Sequence, residues 1–131
     1  MVQFFDRQDP ANSLNGVEIH DSTGLRRLLD SVRDRPPFFA ELIGENGFKL
    51  LVGIGAITGC VQFSTTDGAA PYYMAVAQDS PDAEGEIEFL IGDSPSPVPR
   101  RYCVPYDTMS EVAAHFVNSG DRHGGVAWEE V

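Results

Sequence analysis

The feature that most constrains the fold is a change of hydrophobic period at Pro36-Pro37. Before these prolines, apolar residues recur at helical spacing over residues 25–32, and Asp21 or Ser22 can cap the helix start. After them, from 38 to 104, apolar and polar residues alternate in short runs separated by turn residues. The two prolines end the helix, so the chain changes from helical to extended structure at this point.

The alternating region predicts about five or six short strands joined by hairpin turns. Asn46-Gly47 is a strong hairpin signal because both residues readily adopt positive φ. Asp93–Pro99 is too rich in proline for the interior of a strand, and we expect it to be irregular. The expected strands are Phe38–Ile43, Phe48–Ile54, Cys60–Ser64, Tyr72–Gln78, Glu86–Ile91 and Arg100–Val104.

A second helix is predicted over Thr108–Ser119. Thr108 and Glu111 have the spacing of a capping box at its start, and Gly120 can supply the left-handed residue at its end. A terminal strand, Val126–Glu129, follows.

This order of elements predicts an α+β fold, with an antiparallel β-sheet of about 6–7 strands and two amphipathic helices packed on it. Residues 1–16 contain the turn signals Asp9-Pro10 and Asn15-Gly16, and we expect this segment to be irregular. A chain of 131 residues fits one domain, so residues 1–131 are taken as a single unit.

The charge balance narrows the classes of partner. The chain has 9 Lys+Arg against 20 Asp+Glu, a formal net charge of −11. Such a charge repels phosphate and anionic lipid, so we expect no direct binding of nucleic acid or membrane. No apolar run approaches the roughly 18 residues of a membrane span, and the N-terminal residues do not resemble a signal peptide. We therefore expect a cytoplasmic protein.

Three patterns could indicate chemistry, and each is better explained by structure. The glycines of 53–59 follow an apolar strand but lead into another alternating run, which favours a tight turn over a dinucleotide-binding loop. Cys60 and Cys103 are 43 residues apart and fit buried thiols. No zinc-ligand spacing or nucleophile motif occurs. The histidines His20, His115 and His123 lie in different parts of the sequence and form no cluster along it. We therefore expect no enzymatic activity, no cofactor and no metal.

The most informative segment is Gln78–Asp93, which contains six acids and no base. On a strand, Glu84, Glu86 and Glu88 would share one face at intervals of about 6.6 Å, opposite the apolar Ile87, Phe89 and Ile91. Carboxylates on one face repel each other, and a cationic partner would relieve that repulsion. The alternative is a solvated strand face that prevents edge-to-edge aggregation. The candidate partner-binding residues are Asp79, Asp82, Glu84, Glu86, Glu88 and Asp93.

Two further features have both a structural and a partner-binding interpretation. Arg100 and Arg101 could bind a partner's carboxylate or phosphate, but pairing with the chain's own acids is the stronger expectation. Trp128 could anchor a partner, but packing between the last strand and the second helix is favoured.

Four short motifs in the C-terminal third resemble a family of immunity proteins. This family is the first in the numbered series of immunity families of bacterial polymorphic toxin systems, and its genes often lie beside those of nucleic-acid deaminase toxins. The resemblance spans roughly residues 40–130. The motifs are Pro99-Arg100-Arg101-Tyr102-x-Val104-Pro105, Met109-x-x-Val112-Ala113-x-x-Phe116, Gly120-x-Arg122 and Val126-x-Trp128-Glu129.

The resemblance implies an α+β fold, no catalysis and tight inhibition of a cognate toxin domain, with the Trp-Glu and Phe positions serving as scaffold. Together with the acidic segment, it leads to the hypothesis of an immunity protein that covers the basic active-site surface of a nucleic-acid-targeting deaminase or nuclease toxin. The alternative is a non-enzymatic regulatory or scaffold module that binds another protein.

Overall fold

A computed structural model describes residues 1–77 and 84–131. Two helices and ten strands occur in these parts of the chain. The helices are α1 (Ser22–Val32) and α2 (Tyr106–Ser119). The strands are β1 (Val2–Asp6), β2 (Glu18–Ile19), β3 (Phe38–Gly44), β4 (Phe48–Ile54), β5 (Thr58–Thr65), β6 (Tyr73–Ala75), β7 (Glu86–Ile91), β8 (Ser94–Pro99), β9 (Val104–Pro105) and β10 (Trp128–Glu130).

The main sheet has the strand order β10-β6-β5-β4-β3-β1-β2, with antiparallel neighbours throughout. The predicted Asn46-Gly47 turn joins β3 to β4, with Gly47 at a φ of 89°. Strand β9 pairs with β5, and β7 makes one parallel pairing with β3, Phe38 opposite Leu90. The α+β prediction is confirmed, and the sheet has more strands than the 6–7 expected.

The N-terminal segment is one source of the extra strands. Residues 1–16 were expected to be irregular, but β1 pairs with both β3 and β2. Val2 and Phe4 are fully buried at alternating positions, so β1 contributes one face to the core. The turn signals at 9–10 and 15–16 lie after this strand, in the loop that leads to β2.

Helix α1 begins as predicted. The Asp21 carboxylate caps it by accepting a hydrogen bond of 2.7 Å from the backbone N–H of Gly24. The helix buries Leu25, Leu29 and Val32 against one face of the sheet.

Helix α2 covers the same sheet face, but its predicted capping box is wrong. The helix begins at Tyr106, and its N-cap is Pro105 with no side-chain hydrogen bond, so Thr108 lies inside the first turn. Its end is as predicted: Gly120 adopts a φ of 71°, and its N–H donates to the Phe116 carbonyl at 2.8 Å. The two helices are joined by the Tyr106 hydroxyl, which donates to Asp30 at 2.8 Å.

The expectation that Asp93–Pro99 is irregular is wrong, because Ser94–Pro99 forms β8 in a hairpin with β7. A two-residue turn at Gly92-Asp93, with φ of 55° and 66°, joins the strands. The closing pair Ile91–Ser94 is a hydrogen-bonded pair, and such pairs alternate with non-hydrogen-bonded ones along the ladder. The prolines of β8 stand at the non-hydrogen-bonded pairs, where the backbone N–H would point away from β7, so they remove no ladder bond. Among the described residues β8 pairs only with β7, and an edge strand is where proline is tolerated.

The expected strand Arg100–Val104 is also wrong. Arg100–Tyr102 forms one turn of 3₁₀ helix, closed by a 3.0 Å hydrogen bond from the Cys103 N–H to the Arg100 carbonyl. Only Val104–Pro105 pairs as a strand. The segment lies between Pro99 and Pro105, whose missing N–H groups disfavour a continuous ladder.

The hairpin β7–β8 lies over the sheet face that the helices leave uncovered. Its Phe89 and Val98 form a second, smaller core with Phe39 and Cys60. Gly53 makes this close packing possible: a Cβ there would lie 2.7 Å from a ring carbon of Phe89 and 2.5 Å from the Cys60 sulfur. The glycine at position 53 therefore serves close contact between strands.

We predict that Gly53→Ala lowers the free energy of unfolding by about 1–3 kcal/mol, because the added methyl group overpacks the contact with Phe89. Urea unfolding measures the loss. Gly124→Ala is the matched control, since a Cβ at that position would meet no atom within 4 Å. Equal stability of the two variants would show that Phe89 does not depend on the space above Gly53.

Candidate partner-binding surface

The acidic hairpin, defined as residues 84–99, presents two carboxylates on its outer side. Glu86 and Glu88 are exposed at alternate positions of β7, while Phe89 is fully buried on the inner side. The predicted alternation is therefore present for these residues. Two details differ from the prediction: Glu84 precedes the strand, separated from it by Gly85 at a φ of 90°, and Ile91 is 40% exposed.

The remaining candidate acids stand as follows. Asp93 lies at the hairpin turn, in the left-handed conformation that aspartate tolerates better than most residues. Asp79 and Asp82 lie outside the described residues. None of the ion pairs among residues 1–77 and 84–131 involves Glu84, Glu86, Glu88 or Asp93.

The tip of the acidic hairpin is held by the loop after β1. The Gln8 side chain donates to the Asp93 carboxylate at 2.5 Å and accepts from the Asp93 N–H at 2.7 Å. The Gly92 N–H donates to the Arg7 carbonyl at 2.9 Å. These bonds fix the turn and with it the outer carboxylates of β7.

A buried carboxylate organises this loop in turn. The Asp6 side chain accepts hydrogen bonds from the Arg35 guanidinium, the Asn12 amide and the backbone N–H groups of Gln8 and Asp9, at 2.7–3.0 Å. Burial alone would raise the pKa of Asp6, but these donors outweigh it, so the pKa of the carboxyl is lowered. Sequence reasoning missed Asp6, because a single aspartate at the end of a strand carries no pattern.

The motifs at 99–105 and 126–129 contact each other. The Arg101 guanidinium forms an ion pair with the Glu129 carboxylate, and the Tyr102 hydroxyl donates to the same carboxylate at 3.0 Å. The expectation that an arginine of this segment pairs with the chain's own acids is therefore confirmed for Arg101. Glu129 anchors the segment after the acidic hairpin to β10, so it has a scaffold role.

Trp128 packs on the opposite face of β10. Its ring meets that of Phe63 edge-on at 6.4 Å, and its indole N–H donates to the His123 carbonyl at 2.9 Å. The residue is partly buried against the core under α2, which agrees with the packing interpretation.

The sheet face under the acidic hairpin is only partly covered. One row of half-buried side chains crosses it, and a cleft of about 230 Å³ lies between this face and β8. Leu51, Gln62 and Met74 form its floor, and Ile91 and Pro97 form part of its wall. Near one end of the row, Glu41 is paired with Arg7 and Lys49. The row consists of Phe5, Glu41, Leu51, Gln62, Met74 and Glu129.

The cysteines are free thiols. Cys60 is buried and Cys103 half-buried, and burial raises the pKa of both, which disfavours the reactive thiolate. Within 1–77 and 84–131, no three His, Cys, Asp or Glu residues are arranged to hold a metal ion. The helices of these same segments are too short or too polar to cross a membrane.

The described residues form an α+β domain in which a hairpin carrying exposed acids lies over an apolar cleft. The comparison with protein families gives the particular group. The chain belongs to the Imm1 family of immunity proteins, whose model matches residues 14–130. The match covers β2 to β10, including the acidic hairpin and both helices. No curated protein matches the chain. Membership of this family indicates neutralisation of a toxin.

We predict that Asp6→Asn lowers the free energy of unfolding by about 2 kcal/mol at neutral pH, because it removes charge-assisted hydrogen bonds to a buried carboxylate. The folded-state pKa lies below 3.8, so this stability is fully present above pH 3.8 and is lost as the pH falls through the folded-state value. The difference from wild type should therefore shrink in acid. Exposed Asp34→Asn is the control. A difference independent of pH would contradict the lowered pKa.

Proposed function

We propose that this protein neutralises a cognate toxin domain by placing its acidic hairpin on the basic active-site surface of that domain. Membership of the Imm1 family supports the toxin as partner. The observation that carries the choice of surface is the group of four carboxylates, Glu84, Glu86, Glu88 and Asp93, which form no ion pair with the described residues.

A nucleic-acid-targeting toxin, a deaminase or a nuclease, is the target that fits this charge. Such enzymes bind phosphate with clustered lysine and arginine, and a row of carboxylates can occupy the same cations. The protein acts as a plug and needs no catalysis of its own. Its place of action is the cytoplasm, where the nucleic acid to be protected is found.

The proposed contact residues are Asp79, Asp82, Glu84, Glu86, Glu88 and Asp93. Glu86 and Glu88 are exposed on a strand, so their backbone is already ordered and binding has to order only their side chains. Asp93 is already held by Gln8 and keeps a second carboxylate oxygen for a partner. Unpaired like charges on one surface also accelerate encounter with a basic partner.

The test is binding to the C-terminal domain encoded by the reading frame beside this gene, together with survival of cells that express both. We predict that Glu86→Gln with Glu88→Gln lowers the association rate about tenfold at low salt and flattens its salt dependence. Survival should fall with affinity.

The matched control is Glu18→Gln with Glu45→Gln, which removes the same charge from exposed sites away from the hairpin. If both double variants slow association equally, the effect comes from net charge and the assigned surface is wrong. If wild type fails to protect against that domain and a pull-down recovers an unrelated protein, a regulatory or scaffold module is the better description.

A further inference from the structure

We propose that the apolar cleft between β8 and the sheet receives one aromatic or large aliphatic side chain, projecting from the basic surface of the toxin. This inference rests on the proposed function and deepens it. The acidic hairpin would steer the partner, and the cleft would hold it.

The size of the cleft fits a single side chain. Its volume is about 230 Å³, below the roughly 300–1,000 Å³ of most small-molecule sites. An apolar cavity of about 150 Å³ is already sufficient for benzene. One phenyl or branched aliphatic group therefore fits, whereas a cofactor does not.

The lining of the cleft has the composition of an interface pocket. Leu51 and Met74 form an apolar floor that is only half-buried, and Ile91 is 40% exposed at the wall. A large aliphatic side chain left in water at the mouth of an apolar cleft is stabilised when a partner covers it. Gln62 adds one amide that can orient the guest.

The charge around the cleft selects the kind of partner. The wall of the cleft is β8, and its hairpin carries Glu84, Glu86, Glu88 and Asp93 with no lysine or arginine between 84 and 99. Groups beside an apolar side chain that enters the cleft come near these carboxylates, which attract cationic groups and repel anionic ones. A basic partner is therefore favoured, whereas a second copy of this acidic chain would bring carboxylates against carboxylates.

The walls are also held in place before binding. Phe89 is fixed over Gly53, the turn of the hairpin is bound by Gln8, and prolines stiffen β8. A preformed pocket loses little entropy when it is filled, and buried aromatic anchors supply much of the energy of typical interfaces.

The experiment compares Ile91→Lys with Ile57→Lys. Both substitutions replace isoleucine by lysine, but Ile57 is 82% exposed on the turn between β4 and β5 and does not line the cleft. We predict that Ile91→Lys raises the dissociation rate of the adjacent-frame toxin domain about tenfold, and that Ile57→Lys leaves it unchanged. Met74→Ala, which adds no charge, should raise the same rate. Thermal unfolding confirms that each variant is folded.

Methyl NMR of the wild-type chain gives a second readout. The Met74 and Ile91 methyl signals should shift when the toxin domain is added and stay constant when this chain alone is diluted. Shifts that depend on dilution would identify a second copy as the occupant and overturn the proposal.

The outcomes separate the two proposals. If the cleft variants dissociate like wild type while Glu86→Gln with Glu88→Gln still slows association, the cleft inference fails and the proposed function stands. If the wild-type chain does not bind the toxin domain at all, the proposed function fails and this inference fails with it.

Discussion

The position of the acidic surface depends on one packing contact, the ring of Phe89 against Gly53. Strand β3 buries Phe38 on one face and Phe39 on the other, so both faces of the sheet need apolar cover. The helices supply it on one side. On the other side, within the described residues 1–77 and 84–131, the acidic hairpin supplies this cover, and it can approach because β4 has no side chain at Gly53. Burial of Phe89 thus turns Glu86 and Glu88 outward through the alternation of the strand.

The two faces of the sheet have different roles. The face under α1 and α2 holds the larger core and gives the fold its stability. The other face has a small core, a cleft and an outer row of carboxylates, so its surface residues can change at less cost to folding. Strand β10 connects the two faces. Its Glu129 holds Arg101 and Tyr102 directly after the hairpin, and its Trp128 packs on the opposite face of the sheet. These contacts give the motif residues Arg101, Tyr102, Trp128 and Glu129 a scaffold role.

Elements in which a hydrophobic pattern is sustained, or which carry a clear end signal, could be predicted from the sequence. They are α1 with its Asp21 cap, β3, β4 and the Gly120 end of α2. Other elements could not. The proline content of β8 argues against a strand. The register, which the sequence does not reveal, places these prolines at positions without ladder hydrogen bonds. By contrast, the alternation of apolar and polar residues is enough to predict that Glu86 and Glu88 lie on the outer face of β7. Asp6 and Gln8, which hold the hairpin turn, act through contacts between residues distant in sequence, and no local pattern marks them.

The prolines of β8 also restrict how a partner can be recognised. The prolines occupy every second residue of β8, at the positions whose backbone N–H would point outward, so this edge has no N–H donors for an incoming strand that would extend the sheet. A partner that bound at this edge would therefore contact side chains and would not extend the β-ladder. Side-chain recognition can be retuned by single substitutions, while the backbone and the core beneath it stay unchanged.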